Sequence, residues 1–320
     1  MHKPKITFLD SFSVNPGDLN WDLLNAEGAL TTFDRTSDAD VVTRSQGADV
    51  IITNKVKLNS THFRQLPDLK LICVAATGYD PIDTVQAREH GITVCNCPNY
   101  STMAVAQMVL ALLLEATNNV GFYAEANHKG YWTDSLDFCR WENPIAELAG
   151  KKAAVVGFGH IGQAVTEILR PFGVRLFAVS SKPQENLPAD VQKISLDEAF
   201  RTCDIVSLHC PLTASNVGLV NAGLLAQANP NLILINTARG KLIDEAAVAD
   251  ALKSHRLKAF CCDVLSQEPP TADNPLLSAP NSYITPHIAW ASSEARRRIL
   301  QILAGNIRAF FGGNPVNVVN

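Results

Sequence analysis

The sequence predicts an α/β protein of two domains, each built on parallel strands. Two observations carry this. Strand-like and helix-like segments alternate along nearly the whole chain, which is the pattern of βαβ units. The length of 320 residues also exceeds one ordinary domain, for which about 100–200 residues is usual. With 47% apolar and 18% charged residues, there is enough apolar surface for a core in each.

In the first hundred residues the strand candidates are KITFL (5–9), ADVIIT (48–53), LKLICVAA (69–76) and ITVCN (92–96). A helix then runs from Ser101, as N-cap, to about Thr117. Apolar residues lie on most of its faces, so it is expected to be buried against a second domain or a second subunit. An irregular aromatic segment, GYWTDSLDFCRWENP (130–144), ends at Pro144. A second set of units follows: KKAAVVGFG, VRLFAVS, CDIVSLHCP, NLILINTA, LKAFCCDVL and NSYITPHIA. Six strands at this spacing fit a complete dinucleotide-binding sheet. A last helix spans Ser292 to about Phe311 and bears Arg296, Arg297 and Arg298, read as a solvated or interface face and not as a phosphate site. With no Gly/Ser linker, repeat or low-complexity stretch, the exchange between domains is expected near Tyr100 and near Trp290. Residues 1–100 then form the first part of one domain, 101–290 the other, and 291–320 return to the first.

The net charge of −4, with no extended basic run, argues against a nucleic-acid surface. MHKPKITFLD enters a strand-like run without a signal-peptide pattern. The longest apolar stretch, Val109 to Leu114, is far short of the ~20 residues that span a bilayer. A cytoplasmic protein without a membrane partner is the expectation. The eight cysteines lie mostly in apolar strand-like runs and are read as reduced core residues. Neither Cys95-Asn96-Cys97 nor Cys261-Cys262 has zinc-ligand spacing, so no metal site is expected.

Val155-Val156-Gly157-Phe158-Gly159-His160-Ile161-Gly162 follows a strand and opens a helix. In such a loop Gly157 allows the tight turn, Gly159 lets backbone approach a pyrophosphate, and Gly162 lets helix and strand pack closely. The helix N-terminus then offers N–H groups and a positive dipole end to the phosphates. This places a Rossmann-type unit in the second domain. At the end of its second strand, a carboxylate would take the ribose 2′-OH and repel a 2′-phosphate. Ser180, Ser181 and Lys182 stand there instead, two hydroxyls and an ammonium that suit a phosphate dianion.

Three further residues stand at strand ends of this domain: Arg239 after NLILINTA, Glu268 after CCDVLSQ, and His287 after SYIT and Pro286. Ligands of open α/β sheets bind at the carboxyl ends of strands, so these side chains can converge. Together they supply what reduction of a 2-keto acid requires. A guanidinium binds the carboxylate and polarises the carbonyl, and a histidine protonates the oxygen near neutral pH. A carboxylate on the imidazole fixes its tautomer. Taken singly, each residue also has a plain structural explanation as a surface ion pair or turn cap.

The segments VVGFGHIG, LHCPLT, INTARGKLIDEAAV, CCDVLSQEPP and TPHIAW, in this order, resemble the successive signatures of the D-2-hydroxyacid dehydrogenase family. The resemblance implies a Rossmann-type dinucleotide-binding domain inserted in a flavodoxin-like substrate domain. It implies that Arg239 binds substrate carboxylate and carbonyl, that His287 is the acid/base, and that Glu268 is its partner. It places Asp263 on the nicotinamide carboxamide and adds Thr102, His160, Ile161, Cys210, Pro211 and Thr237 as cofactor contacts. It also sets the loop Ala76-Thr77-Gly78 against the substrate carboxylate.

Within the family, ATGYD (76–80), the NCPNYST…VAQM stretch and the DFC-W segment look most like glycerate dehydrogenases, also called hydroxypyruvate reductases. Hydroxypyruvate or D-glycerate is the implied substrate, with glyoxylate second. NADP(H) is the expected cofactor because Ser180-Ser181-Lys182 departs from the NAD-using pattern, with NAD(H) still usable. A homodimer is expected around the helix 101–117 and the aromatic segment 130–144, which relatives use as a dimer arm; in some of them a Trp enters the neighbouring site. Formate dehydrogenases share the frame but carry glutamine where Glu268 stands. Phosphoglycerate dehydrogenases often add a C-terminal regulatory domain beyond the last helix. The same fold also accommodates a dehydrogenase for a different D-2-hydroxy acid or an NAD(H)-sensing corepressor-like protein, though neither a tail nor a basic surface favours the corepressor.

Overall fold

A computed structural model describes residues 3–320. The chain divides into two compact units, one running up to Ser101 and again from Ala291 to Asn320, the other Thr102–Trp290.

The first unit holds β1 (Lys5–Phe8), β2 (Ala29–Thr32), β3 (Val50–Thr53), β4 (Leu71–Val74) and β5 (Thr93–Cys95), in the order β2-β1-β3-β4-β5. All neighbours are parallel, and the order is flavodoxin-like. VIIT and LICV are buried throughout, as central parallel strands covered on both faces must be. β2 is the exception: ALTT lies mostly exposed at an edge. It has no apolar run by which the sequence could announce it.

The helix Ser293–Phe311 packs against β4 and the helix Asp22–Glu27, and Ser292 Oγ caps it by accepting from Ala295 N at 3.1 Å. Its basic cluster is not a solvated face at Arg296, which is only 8% exposed. That guanidinium donates to both carboxylate oxygens of Asp18 at 2.6 Å and also to the carbonyls of Val14 and Ala291. A planar fork satisfies four acceptors at once, which makes its burial tolerable. Beyond the helix, residues 317–320 run along the free side of β5. Val318 bridges Cys95 antiparallel, and Val319 N donates to Val94 O at 2.9 Å.

The second unit holds β6 (Lys152–Val156), β7 (Arg175–Val179), β8 (Val191–Lys193), β9 (Ile205–Leu208), β10 (Ile233–Asn236), β11 (Ala259–Cys262) and β12 (Ser282–Ile284). They form one parallel sheet, ordered β12-β11-β10-β9-β6-β7-β8. This corrects the expected six strands to seven. The additional strand is β8, where VQK buries only Val191 and gives no apolar run. With it, the order is that of a Rossmann sheet extended by one strand, β12. Burial pushes the thiols of Cys95 in the first unit and Cys203 in the second up to about 11, as expected of inert core cysteines.

The helix Thr102–Asn118 packs on the helix His160–Leu169 and on β10 and β11, burying Val105, Val109, Leu112 and Leu113. Burial is not all-round within this chain, since Met103 is exposed. A further helix, Val120–His128, buries no residue and is entered through Asn119 at a φ of 54°. No apolar stripe marks it in the sequence. The segment 130–144 is irregular, with Trp132, Leu136, Phe138 and Trp141 exposed. Among the described residues, no single helix is long and apolar enough to cross a membrane.

Candidate active site

The glycine turn between β6 and the helix His160–Leu169 is dictated by close approach of backbone. Gly157 sits at a φ of 98°, and a Cβ there would lie 2.6 Å from Cys210 N. A Cβ on Gly162 would strike the carbonyl of Gly157, so only glycine lets the helix begin this near the strand end. Gly159 is the N-cap and faces open space. The first helical residues, His160 and Ile161, therefore follow a backbone that a phosphate can reach.

Beside this turn lies a cavity of about 670 Å³, lined by Gly157, Gly159, Ser180, Ser181, Lys182, Cys210 and Pro211 among others. No aspartate or glutamate lines it. Burial pushes the His209 imidazole down to about 3, so it is neutral at working pH, with Nε2 2.8 Å from Ser207 Oγ. Of the two carboxylates that follow the β7 loop, Glu185 and Asp190, the second is already engaged: Arg170 donates to both oxygens of Asp190, at 2.6 and 3.2 Å, and holds its carboxyl below the usual range. Phe158 of the glycine turn also lines the cavity, as do Lys193, Ser195 and Asn216, which no motif in the sequence singles out. Lys193 is hidden because its strand is.

Past β10, Asn236 is fully buried and shapes the loop that carries Arg239. Its Nδ2 donates to Arg239 O at 2.9 Å, and its Oδ1 accepts from Ala238 N at 3.1 Å. The Arg239 side chain is exposed and spends one donor on Ala238 O at 2.8 Å. A Cβ on Gly240 would strike the backbone of Leu265, so this loop lies directly on the segment that follows β11. Leu265 N in turn donates to Glu268 Oε1 at 3.0 Å, and Glu268 Oε2 lies 2.7 Å from His287 Nδ1. Backbone contact and two hydrogen bonds thus join the ends of three adjacent strands. With Nδ1 facing the carboxylate, Nε2 is the nitrogen left for other chemistry.

His287 holds a φ of 56°, a left-handed backbone that a side chain seldom adopts. Asp263, 2% exposed, fixes it in place: Oδ1 accepts from Thr285 Oγ1 (2.6 Å) and Ile288 N (2.8 Å), and Oδ2 accepts from Ala289 N (2.8 Å). One acceptor position on Oδ2 remains. Thr237 Oγ1 is buried with no hydrogen-bond partner among the described residues. An orphaned hydroxyl of this kind fits a polar group brought by a bound molecule. Thr102 opens the long helix of this unit and lies outside the residues that line the cavity.

In the first unit, Ala76, Thr77 and Gly78 follow β4. Cys97 N donates to Ala76 O at 3.0 Å, Thr77 Oγ1 to Cys97 O at 3.0 Å, and Asn96 Nδ2 to Thr77 O at 2.7 Å. Among the described residues the N–H groups of Thr77 and Gly78 make no hydrogen bond, which leaves two donors on a braced loop.

Residues 110–289 match the family model described as D-isomer specific 2-hydroxyacid dehydrogenase, NAD binding domain. The chain belongs to that family. It is 40% identical over 320 residues to a hydroxypyruvate reductase of Blautia hydrogenotrophica, covering 99% of each chain. A glycerate dehydrogenase of Methylorubrum extorquens is 38% identical over 282 residues, 88% of each chain. Among solved structures, an NADPH-dependent glyoxylate/hydroxypyruvate reductase from Sinorhizobium meliloti, in complex with NADP and malonate, superposes with a TM-score of 0.84 at 27% identity. That match covers 99% of this chain and 97% of the other.

Proposed function

We propose that this 2-hydroxyacid dehydrogenase interconverts hydroxypyruvate and D-glycerate, with glyoxylate as a second substrate, and uses NADP(H) in preference to NAD(H). The observation that carries the reading is the 2.7 Å pair between His287 Nδ1 and Glu268, braced against the loop of Arg239. The names of the Blautia and Methylorubrum relatives support the substrate class.

A nicotinamide dinucleotide held by its pyrophosphate at the glycine turn would supply or take up the hydride. Arg239 holds the substrate carboxylate through two parallel N–H donors and draws electron density from the adjacent carbonyl oxygen. His287 gives a proton from Nε2 to that oxygen as it becomes hydroxyl, and takes it back in oxidation. Glu268 keeps the Nδ1 proton of the imidazole toward itself, which fixes the tautomer. The free N–H groups of Thr77 and Gly78 suit an anion, and Ala76-Thr77-Gly78 is assigned to the substrate carboxylate on that ground. Gly157, Gly159, His160, Ile161 and Gly162 are assigned to the pyrophosphate. Thr102, Cys210, Pro211, Thr237 and Asp263 are assigned to the rest of the cofactor, with the last acceptor position of Asp263 directed to the carboxamide. Steady-state rates with hydroxypyruvate, glyoxylate, pyruvate and formate against both cofactors test the reading. The highest kcat/KM is expected for hydroxypyruvate, and an enzyme that turns over formate instead contradicts it.

Cofactor preference follows from what the cavity lacks. Without a carboxylate at the end of β7, nothing repels a 2′-phosphate, and discrimination is a difference of affinities. Ser180→Asp restores the like charge and is expected to reverse the preference in kcat/KM at saturating hydroxypyruvate. A wild-type enzyme that favours NADH by about tenfold, some 1.4 kcal/mol, would refute the assignment.

A homodimer completes the proposal. Trp132, Phe138 and Trp141 are 57%, 90% and 66% exposed in one irregular segment. Apolar patches of this kind are rare on monomers. Light scattering at micromolar concentration is expected to give twice the chain mass of 34.6 kDa, and a monomeric mass would contradict it.

A further inference from the structure

We propose that Lys193, on the edge strand β8, determines cofactor specificity by binding the 2′-phosphate of the adenosine ribose beside Ser180, Ser181 and Lys182. This rests on the NADP(H) preference proposed above and names a residue outside the loop on which that preference was read.

Register puts the side chain there. Lys193 pairs with Ala178, and Ile194 N donates to Ala178 O at 3.1 Å, so Lys193 stands next to the end of β7, where ribose recognition takes place in this type of sheet. Lys193 Nζ donates to Lys182 O at 2.7 Å, which brings the ammonium over the Ser180–Lys182 turn. An ammonium has three N–H donors, so two remain. Gln184 also ties the turn to β8: Gln184 Oε1 accepts from Lys193 N at 2.7 Å, and Gln184 Nε2 donates to Val191 O at 2.9 Å. Ser180 Oγ accepts from Lys182 N at 3.1 Å, and the Lys182 ammonium lies 5.6 Å from the centre of the Phe158 ring.

Charge selects the ligand. The cavity is lined by two lysines and no acid, His209 is neutral, and neither lysine forms an ion pair among the described residues. Two unpaired cations at the mouth of a ribose site favour a dianion over a neutral hydroxyl. Lys182 belongs to the turn itself; Lys193 comes from a neighbouring strand, so the phosphate would be held from two sides.

The test is calorimetric binding of adenosine 2′,5′-bisphosphate and of adenosine 5′-monophosphate to wild type, Lys193→Met and Lys193→Glu. Wild type is expected to bind the bisphosphate more tightly. In Lys193→Met, which keeps the aliphatic stem, bisphosphate affinity should fall about tenfold, the low end for a charge-assisted hydrogen bond, while monophosphate affinity stays the same. Lys193→Glu should lose more. Equal loss for both nucleotides would show that Lys193 only braces the turn, and overturns the proposal. Full retention of the bisphosphate advantage in Lys193→Met overturns it while leaving the cofactor preference intact. A wild type without any bisphosphate advantage overturns both.

Discussion

Replacing His287 with alanine is expected to lower kcat by about 10²–10⁴-fold, the range that general acid–base catalysis contributes. The loss falls on the chemical step because the imidazole is the group placed to exchange a proton with the substrate oxygen. Cofactor affinity should survive, since the glycine turn and the cavity are built by β6 to β9 and not by the loop after β12. Measuring kcat together with the dissociation constant for NADPH separates the two. Near-normal kcat would remove His287 from the mechanism. A parallel loss of cofactor binding would make it structural.

Arg239→Lys is expected to cost about 10²-fold in kcat/KM for hydroxypyruvate, near the upper end of what hydrogen bonds to a charged group supply. Lysine keeps the charge and loses the planar pair of donors that grips a carboxylate. KM should rise and kcat should fall together, because one group both binds the carboxylate and polarises the carbonyl. The loop itself should hold its shape, since Asn236 grips the main chain of residues 238 and 239 and not the guanidinium. An unchanged KM would make Arg239 a surface residue.

What the sequence can reveal follows the strength of its local signals. β3, β4, β6, β9 and β10 are buried or nearly so along their length and therefore read as mostly apolar runs, with single polar residues such as Ser207 and Asn236 among them. The glycine turn is legible because Gly157 and Gly162 answer to backbone contacts that no other residue fits. Strand ends point to Arg239, Glu268 and His287, and the structure joins them through Leu265 and the Glu268–His287 bond. Edge strands such as ALTT and VQK leave no pattern because one or both faces meet water. Arg296 misleads for a related reason: its burial depends on Asp18, which lies 278 residues earlier in the chain. Asp263 shows the same limit. The CCDVLSQEPP segment marks Asp263 for a cofactor role, but its grip on residues 285–289 comes from the fold.

The return of residues 291–320 to the first unit also sets an order of events as the chain is made. The unit Thr102–Trp290 is continuous and has all its strands once Trp290 has emerged. The other unit must wait. Its sheet strands are made first, yet the helix that covers β4 and the segment that pairs with β5 come last. Contacts this distant in sequence form slowly, and exposed strands are liable to wrong pairing until they do. The part of the chain made first therefore passes through synthesis as the less protected one.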